Sequence, residues 1–134
     1  MQPELFVIAP FDSEFQPVRE AVHQVALEAG FSVAPPNPYS SGSLRASFIL
    51  ERILKADVIV ADLSGQNSDV MYELGYAHSY RKPTILLYNR NSDDYKLPND
   101  LAGILYIFYD LENLSELTEE VRFRIQPMAL RWSA

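Results

Sequence analysis

The 134-residue sequence predicts a doubly wound α/β domain, a three-layer sandwich around a five-stranded parallel sheet in the order 2-1-3-4-5. Three observations carry that expectation. Runs such as Val58-Ile-Val-Ala-Asp-Leu63 are apolar without alternation, as in strands covered on both faces. Those runs take turns along the chain with apolar residues spaced at three and four, so strands and helices come in βαβ units. Right-handed crossovers then leave few topologies.

The elements follow in order. Leu5–Ala9 reads as the first strand and Pro10-Phe11-Asp12-Ser13 as its exit loop. Pro17 suits the first turn of a helix whose inner stripe is Val18, Ala21, Val22, Val25, Ala26 and Ala29, with Gly30 as the stop. Phe31–Ala34 is a short second strand. Residues 35–43 are breakers, and a second helix over Leu44–Lys55 turns Ala46, Ile49, Leu50, Ile53 and Leu54 inward. The third strand leads into a helix capped by Asn67 and ended by Pro83, with Val70, Leu74 and Ala77 as its core stripe and Gly75 as a close-packing seat. Thr84–Tyr88 and Ile104–Tyr109 are the last strands, joined by a polar loop, Asn89–Gly103, that holds Asp93, Asp94 and Pro98. Asn113 and Glu116 form a capping box for a terminal helix, and Pro127 kinks or ends it. Residues 1–134 make one domain, long enough to bury a core.

Composition excludes several classes. Hydrophobic content of 48% argues against disorder. The absence of cysteine rules out disulfides, thiolate metal sites and a cysteine nucleophile, and His23 and His78 are too few and too far apart for a metal cluster. No metal and no cofactor are expected. A net charge of −7 repels polyanions, so nucleic acid is not an expected partner. No signal peptide or membrane-spanning run is legible, and the expectation is a cytoplasmic protein.

The most informative stretch is Ala56 to His78, ADVIVADLSGQNSDVMYELGYAH. A strand ends at Asp62, a turn containing Gly65 follows, and a helix carries Glu73 in its opening turns. In open α/β sheets ligands bind beyond the carboxyl ends of the strands, so this carboxylate points at the expected binding place. The helix dipole should keep it ionised. An ionised carboxylate can trap or stabilise an oxocarbenium-like centre, as N-glycosidic cleavage requires; the bland alternative is a solvated helix glutamate.

The pattern strand–Asp62–turn–Asp69–x-x-x–Glu73-Leu-Gly-x-Ala-His resembles the nucleoside 2-deoxyribosyltransferase-like superfamily, with Phe6-Val-Ile-Ala-Pro-Phe11 and Lys82-Pro-Thr-Ile-Leu86 fitting the same group. It borders on the TIR-like NAD glycohydrolases, which share a flavodoxin-like (Rossmann-like) fold. The resemblance implies cleavage or transfer at an N-glycosidic bond of a nucleoside or nucleotide with Glu73 as nucleophile. TIR-like NAD⁺ hydrolysis, as in bacterial defence signalling, and a non-catalytic nucleotide-binding module are the alternatives. It also implies an aspartate near the sugar or base, a place that Asp62 or Asp69 could fill. Transferases of this group carry a further acid near the position of Ile49, and here the nearest acid is Glu51, which leaves room for a hydrolase.

Other candidates keep two readings each. Asp62 can accept from a ribose hydroxyl or close an Asx turn, and Asp69 can simply favour the helix N-terminus. Pro10, Phe11 and Asp12 line the first strand's exit, where Phe11 can stack on a base or serve as a core or interface aromatic. Ser41, Ser43, Arg45 and Ser47 open the second helix as a phosphate site or as a polar loop with a serine cap. Asn89 positions a ligand or closes a turn. His78, about 150° round the helix from Glu73, is packed or capping rather than a base. A bare carboxylate would repel a nucleotide's phosphates, which argues against a pure binding module. Members of the resembled group complete their sites with a neighbouring subunit's loop. A homo-oligomer is therefore expected, with Asn89–Gly103 as that loop and Tyr72, Tyr76, Tyr80 and Trp132 as interface aromatics.

Overall fold

The computed structural model describes residues 2–92 and 106–133, with side chains described through residue 131. Five parallel strands run in the order 2-1-3-4-5: β1 (Glu4–Ile8), β2 (Ser32–Val33), β3 (Val58–Asp62), β4 (Thr84–Asn89) and β5 (Tyr106–Tyr109). Helices α1 (Gln16–Glu28), α2 (Gly42–Lys55), α3 (Ser68–Ser79) and α4 (Leu114–Ser133) cover both faces. The expected architecture and strand order are what the structure has. Of the expected fifth strand, residues 104 and 105 lie outside the described residues, as do Asp93, Asp94 and Pro98.

Burial explains the apolar runs. All five residues of β3 are buried, because the sheet's central strand meets helices on both sides. Val58 and Val60 face α1 and α4, joining Leu5, Val7, Leu87, Val22, Val121 and Ile125 in one core. Ile59 and Ala61 face the other way, onto Ile53, Val70, Leu74 and Ala77 of α2 and α3. The α3 stripe is thus as expected. On α2 only Ile49 and Ile53 are buried, with the expected Leu50 half-buried against the same core; Ala46 and Leu54 point outward, and the inner flank is completed by the half-buried Arg45, Phe48 and Arg52. The spacing of three and four was right but its phase was turned by about one residue, because Arg and Phe can also line an inner face.

Helix ends have identifiable causes. After α1 the Gly30 N–H reaches the Leu27 carbonyl and the Phe31 N–H the Ala26 carbonyl, a Schellman stop with Gly30 at φ +100. Helix α3 ends the same way: Arg81 N–H bonds to His78 O and Lys82 N–H to Ala77 O, with Arg81 itself left-handed at φ 56. The stop is therefore this motif at Arg81, three residues before β4 begins, and not Pro83. Asn67 caps α3 through its side-chain oxygen, which accepts from the N–H groups of Asp69 and Val70. Gly75 is exposed and a Cβ there would meet nothing within 4 Å, so it is no packing seat. Asn113 accepts from the Ser115 hydroxyl while Glu116 pairs with Arg90, so the reciprocal capping box is not made. Helix α4 continues through Pro127 instead of ending there.

Candidate active site

At the carboxyl ends of β1 and β2, the chain forms a cavity of about 490 Å³, within the usual range for small-molecule sites. Its wall is built from four elements. The exit of β1 contributes Ala9 and Phe11, α1 contributes Gln16, Arg19 and His23, α2 contributes Arg45, Phe48 and Ile49, and α3 contributes Glu73. Residues 33–37 close one side.

Glu73 is only 7% exposed. It stands at the edge of the α3 stripe, so the helix that buries Val70, Leu74 and Ala77 brings its carboxyl to the cavity. Burial pushes its pKa up to about 7, Asp69 adds to the rise, and the guanidiniums of Arg45 and Arg19 oppose it. This corrects the expectation that the dipole keeps Glu73 ionised. Glu73 is the sixth residue of α3, and the dipole's influence fades within the first turn, whereas desolvation acts in full.

Two cations face this carboxyl. Arg19 is held by Nη2 hydrogen bonds to the carbonyl oxygens of Ala9, 3.2 Å, and Pro10, 3.4 Å, which fix it against the β1 exit. Burial and the neighbouring Arg45 lower its pKa, yet a guanidinium stays charged. Arg45 lies over the Phe11 ring, 5.3 Å from the centroid. One turn beyond Arg19, His23 is pulled below its ordinary value by burial and by Arg19, and so is neutral near pH 7. The charged lining is two guanidiniums against one carboxyl in a chain of net −7. Glu73 is not a bare carboxylate, and the cavity is not hostile to phosphate.

The remaining expected residues divide. Phe11, Arg45 and Glu73 share the cavity. Pro10 enters only through its carbonyl, and Asp12 is exposed at the start of a 3-10 turn with no side-chain cap bond. Ser41 and Ser43 line a separate, open groove with Pro38–Leu44, and Ser47 is exposed. The serine stretch and Arg45 therefore do not form one anion site: helix geometry sends Arg45 inward and the serines outward. Asp69 is exposed.

Asp62 is fully buried and absent from the cavity wall. Its Oδ1 accepts the Ser64 N–H at 2.9 Å, which is the Asx turn, and its Oδ2 accepts the Tyr109 hydroxyl at 2.5 Å. Burial raises its pKa, and that of Tyr109 is pushed well above the ordinary tyrosine value by burial and by Asp62. Ser64 Oγ in turn accepts the Asn89 N–H at 2.6 Å, so the network ties β3, β4 and β5 together below Gly65, which sits at φ 75. The Asn89 side chain accepts from the Asn91 N–H and closes a turn. His78 is exposed with Nε2 2.9 Å from Thr84 Oγ1. Tyr72 and Tyr80 are 66% and 54% exposed, and the Tyr76 ring meets that of Tyr80 in a tilted contact, 5.2 Å between centroids. The Trp132 side chain and residues 93–103 lie outside what is described. Among the described residues no group of His, Cys, Asp and Glu is arranged to hold a metal ion, and no helix is long and apolar enough to cross a membrane.

Gln16, Arg19 and His23 were not legible as site residues. A signal existed for Arg19 alone, which borders the Val18–Ala26 stripe of α1 as Glu73 borders that of α3.

No protein-family model matches the chain, and no curated protein sequence matches it. Solved structures do. A CMP N-glycosidase, BcmB, of Clostridium botulinum superposes with a TM-score of 0.67 at 20% identity, over 90% of this chain and 98% of that one. A 2-deoxyribosyltransferase of Bacillus psychrosaccharolyticus gives 0.57 at 19% identity, over 83% and 89%. A conserved protein of Enterococcus faecalis V583 gives 0.59 at 20%, over 92% and 99%. The chain therefore shares its fold with these structures.

Proposed function

We propose that the protein hydrolyses the N-glycosidic bond of an anionic nucleoside, a nucleoside monophosphate being the simplest case, with Glu73 acting at the anomeric carbon. The observation that carries this reading is the buried Glu73 carboxyl in the cavity wall, opposed by Arg19 and Arg45. In the reaction the C1′–N bond breaks and its electron pair leaves with the base. The Glu73 carboxylate stabilises the cationic sugar or bonds to it. Water then supplies hydroxyl to C1′, and its proton balances the charge on the released base.

Each wall has a task. Arg19 and Arg45 attract the phosphate and favour the ionised form of Glu73, two effects with one sign of charge. Phe11, Phe48 and Ile49 supply apolar surface for a base or sugar, and the neutral His23 offers a hydrogen-bonding group at the same wall. Ile49 places an apolar side chain where the resembled transferases carry an acid, which favours water over a second base as acceptor. The fold shared with a CMP N-glycosidase and a deoxyribosyltransferase supports the reaction class.

The test is one incubation with nucleosides, nucleoside monophosphates and NAD, followed by chromatography for released base. Monophosphates should release base faster than their nucleosides. Release from none of the panel by an enzyme shown to be folded would remove the proposal.

A further inference from the structure

Beneath the turn that leads into α3 lies a carboxyl that the proposed reaction does not use. Asp62, Ser64 and Tyr109 are all buried there. A buried carboxyl is costly unless its oxygens find donors, and here both do. Oδ1 accepts the Ser64 N–H at 2.9 Å and Oδ2 the Tyr109 hydroxyl at 2.5 Å. Ser64 Oγ accepts the Asn89 N–H at 2.6 Å, and the Leu63 N–H reaches the Leu87 carbonyl oxygen at 2.9 Å. The first two residues after β3 are thus tied to β3, to β4 and, through Asp62, to β5.

The next two residues are left-handed, Gly65 at φ 75 and Gln66 at φ 50. Glycine takes that conformation freely, whereas a glutamine there is strained and persists only where its surroundings over-determine it. The bonds on the β3 side supply one half of that constraint. Asn67 supplies the other: its side chain caps α3 and its carbonyl oxygen accepts the Met71 N–H. Glu73 follows six residues after the cap, so whatever fixes the turn fixes where this carboxyl stands. The apolar stripe does not suffice. Burial of Val70, Leu74 and Ala77 holds α3 to the sheet, but hydrophobic contact is non-directional and tolerates a slide along the helix axis.

We propose that Asp62 is the positioning residue of the site: it sets the register of the turn over residues 63–67, and thereby the depth at which Glu73 stands in the cavity wall. Asp62 does not line the cavity. The charges that act on Glu73 are Arg45 of α2, Arg19 of α1 and Asp69 of its own helix, and Asp62 is not among them. Around Asp62 itself stand Ser64, Tyr109 of β5 and the Arg19 guanidinium. Its influence on Glu73 therefore runs through the backbone. The kinetic consequence rests on Glu73 as the reacting group; the geometry does not.

The test follows the Glu73 carboxyl by carbon-13 NMR in glutamate-labelled protein, its resonance identified by its loss in Glu73→Gln. In wild type the titration should centre on about 7. Loosening the turn dilutes burial and the arginine field together. The value should then fall toward the ordinary 4.5, by about one unit in Asp62→Ala and in the same direction in Tyr109→Phe. Asp62→Asn removes the charge but keeps an acceptor for the Ser64 N–H and offers Nδ2 to the Tyr109 oxygen, so its value should stay near that of wild type. With a nucleoside monophosphate, Asp62→Ala should lower kcat about tenfold or more and leave KM within a few-fold, because the binding groups stay in place. A merely structural Asp62 would lower the denaturation midpoint and leave Glu73 titrating at its wild-type value in the folded variants, which would overturn the proposal. A fall in Asp62→Asn as large as that in Asp62→Ala would do the same. If Asp62→Ala does not fold, the titration of Tyr109→Phe decides. If wild type releases base from no substrate, the proposed reaction falls, while the titration, which needs no substrate, still decides on Asp62.

Discussion

The Arg45 guanidinium lies over the Phe11 ring, 5.3 Å from its centroid, and so joins the β1 exit to α2 across the mouth of the cavity. Phe11 is 61% exposed, so the ring has a free edge toward solvent while one face is covered by the cation. A base entering beside it would meet a surface already polarised by Arg45.

Replacing Arg45 by alanine should therefore act twice. Affinity for a nucleoside monophosphate should fall by roughly 1–3 kcal/mol, the scale of a charge-assisted hydrogen bond, and affinity for the uncharged nucleoside much less. Calorimetry with the pair of ligands checks the difference. Equal losses would mean that Arg45 does not read phosphate.

Glu73→Gln keeps the shape of the side chain and removes its charge. Base release should slow on the order of 10²–10⁴-fold, with substrate affinity near normal. A variant within a few-fold of wild type in single-turnover base release would sink Glu73 as the reacting group.

The pH profile follows from the pKa of about 7. The carboxylate is the reacting form, so kcat/KM should rise with pH and level off above about 7. Arg45 lowers this pKa and Asp69 raises it. The acidic limb should then move to higher pH in Arg45→Ala and to lower pH in Asp69→Asn. Opposite movements would contradict the assignment of that limb to Glu73.

Stability should show the same group with the opposite trend. Glu73 binds its proton more tightly folded than unfolded, so its contribution is complete below about pH 4.5 and is lost as pH rises toward and through 7. The loss should be on the order of 3 kcal/mol between pH 4.5 and 8. Urea denaturation of wild type against Glu73→Gln isolates it, since the glutamine cannot titrate.

Tyr109→Phe deletes the donor to Asp62 Oδ2 and leaves that buried oxygen short of a partner. The expected cost is about 1–3 kcal/mol in chemical denaturation. Arg81→Gly should do the reverse, gaining about 0.5–1 kcal/mol, because a left-handed stop is where glycine carries no Cβ penalty.

What the sequence determined by itself was everything set by local periodicity. The unbroken apolar run of β3, the α3 stripe, the Asn67 cap and the Gly30 stop were all legible, and right-handed crossovers turned them into the strand order. Glu73 could be singled out because its strand–turn–helix context is continuous in the chain. Only tertiary structure brought Arg19 and Arg45 to it, since they stand 54 and 28 residues earlier on two different helices and no local spacing records that convergence. Tertiary structure also decided charge state. A glutamate beside an apolar stripe looks ionised when the helix is considered alone, and burial under the cavity wall is what lifts its pKa to about 7. Asp62 was decided the same way: its partner, Tyr109, lies 47 residues away in sequence and two strands away in the sheet, and their hydrogen bond draws its carboxyl beneath the site and out of the cavity.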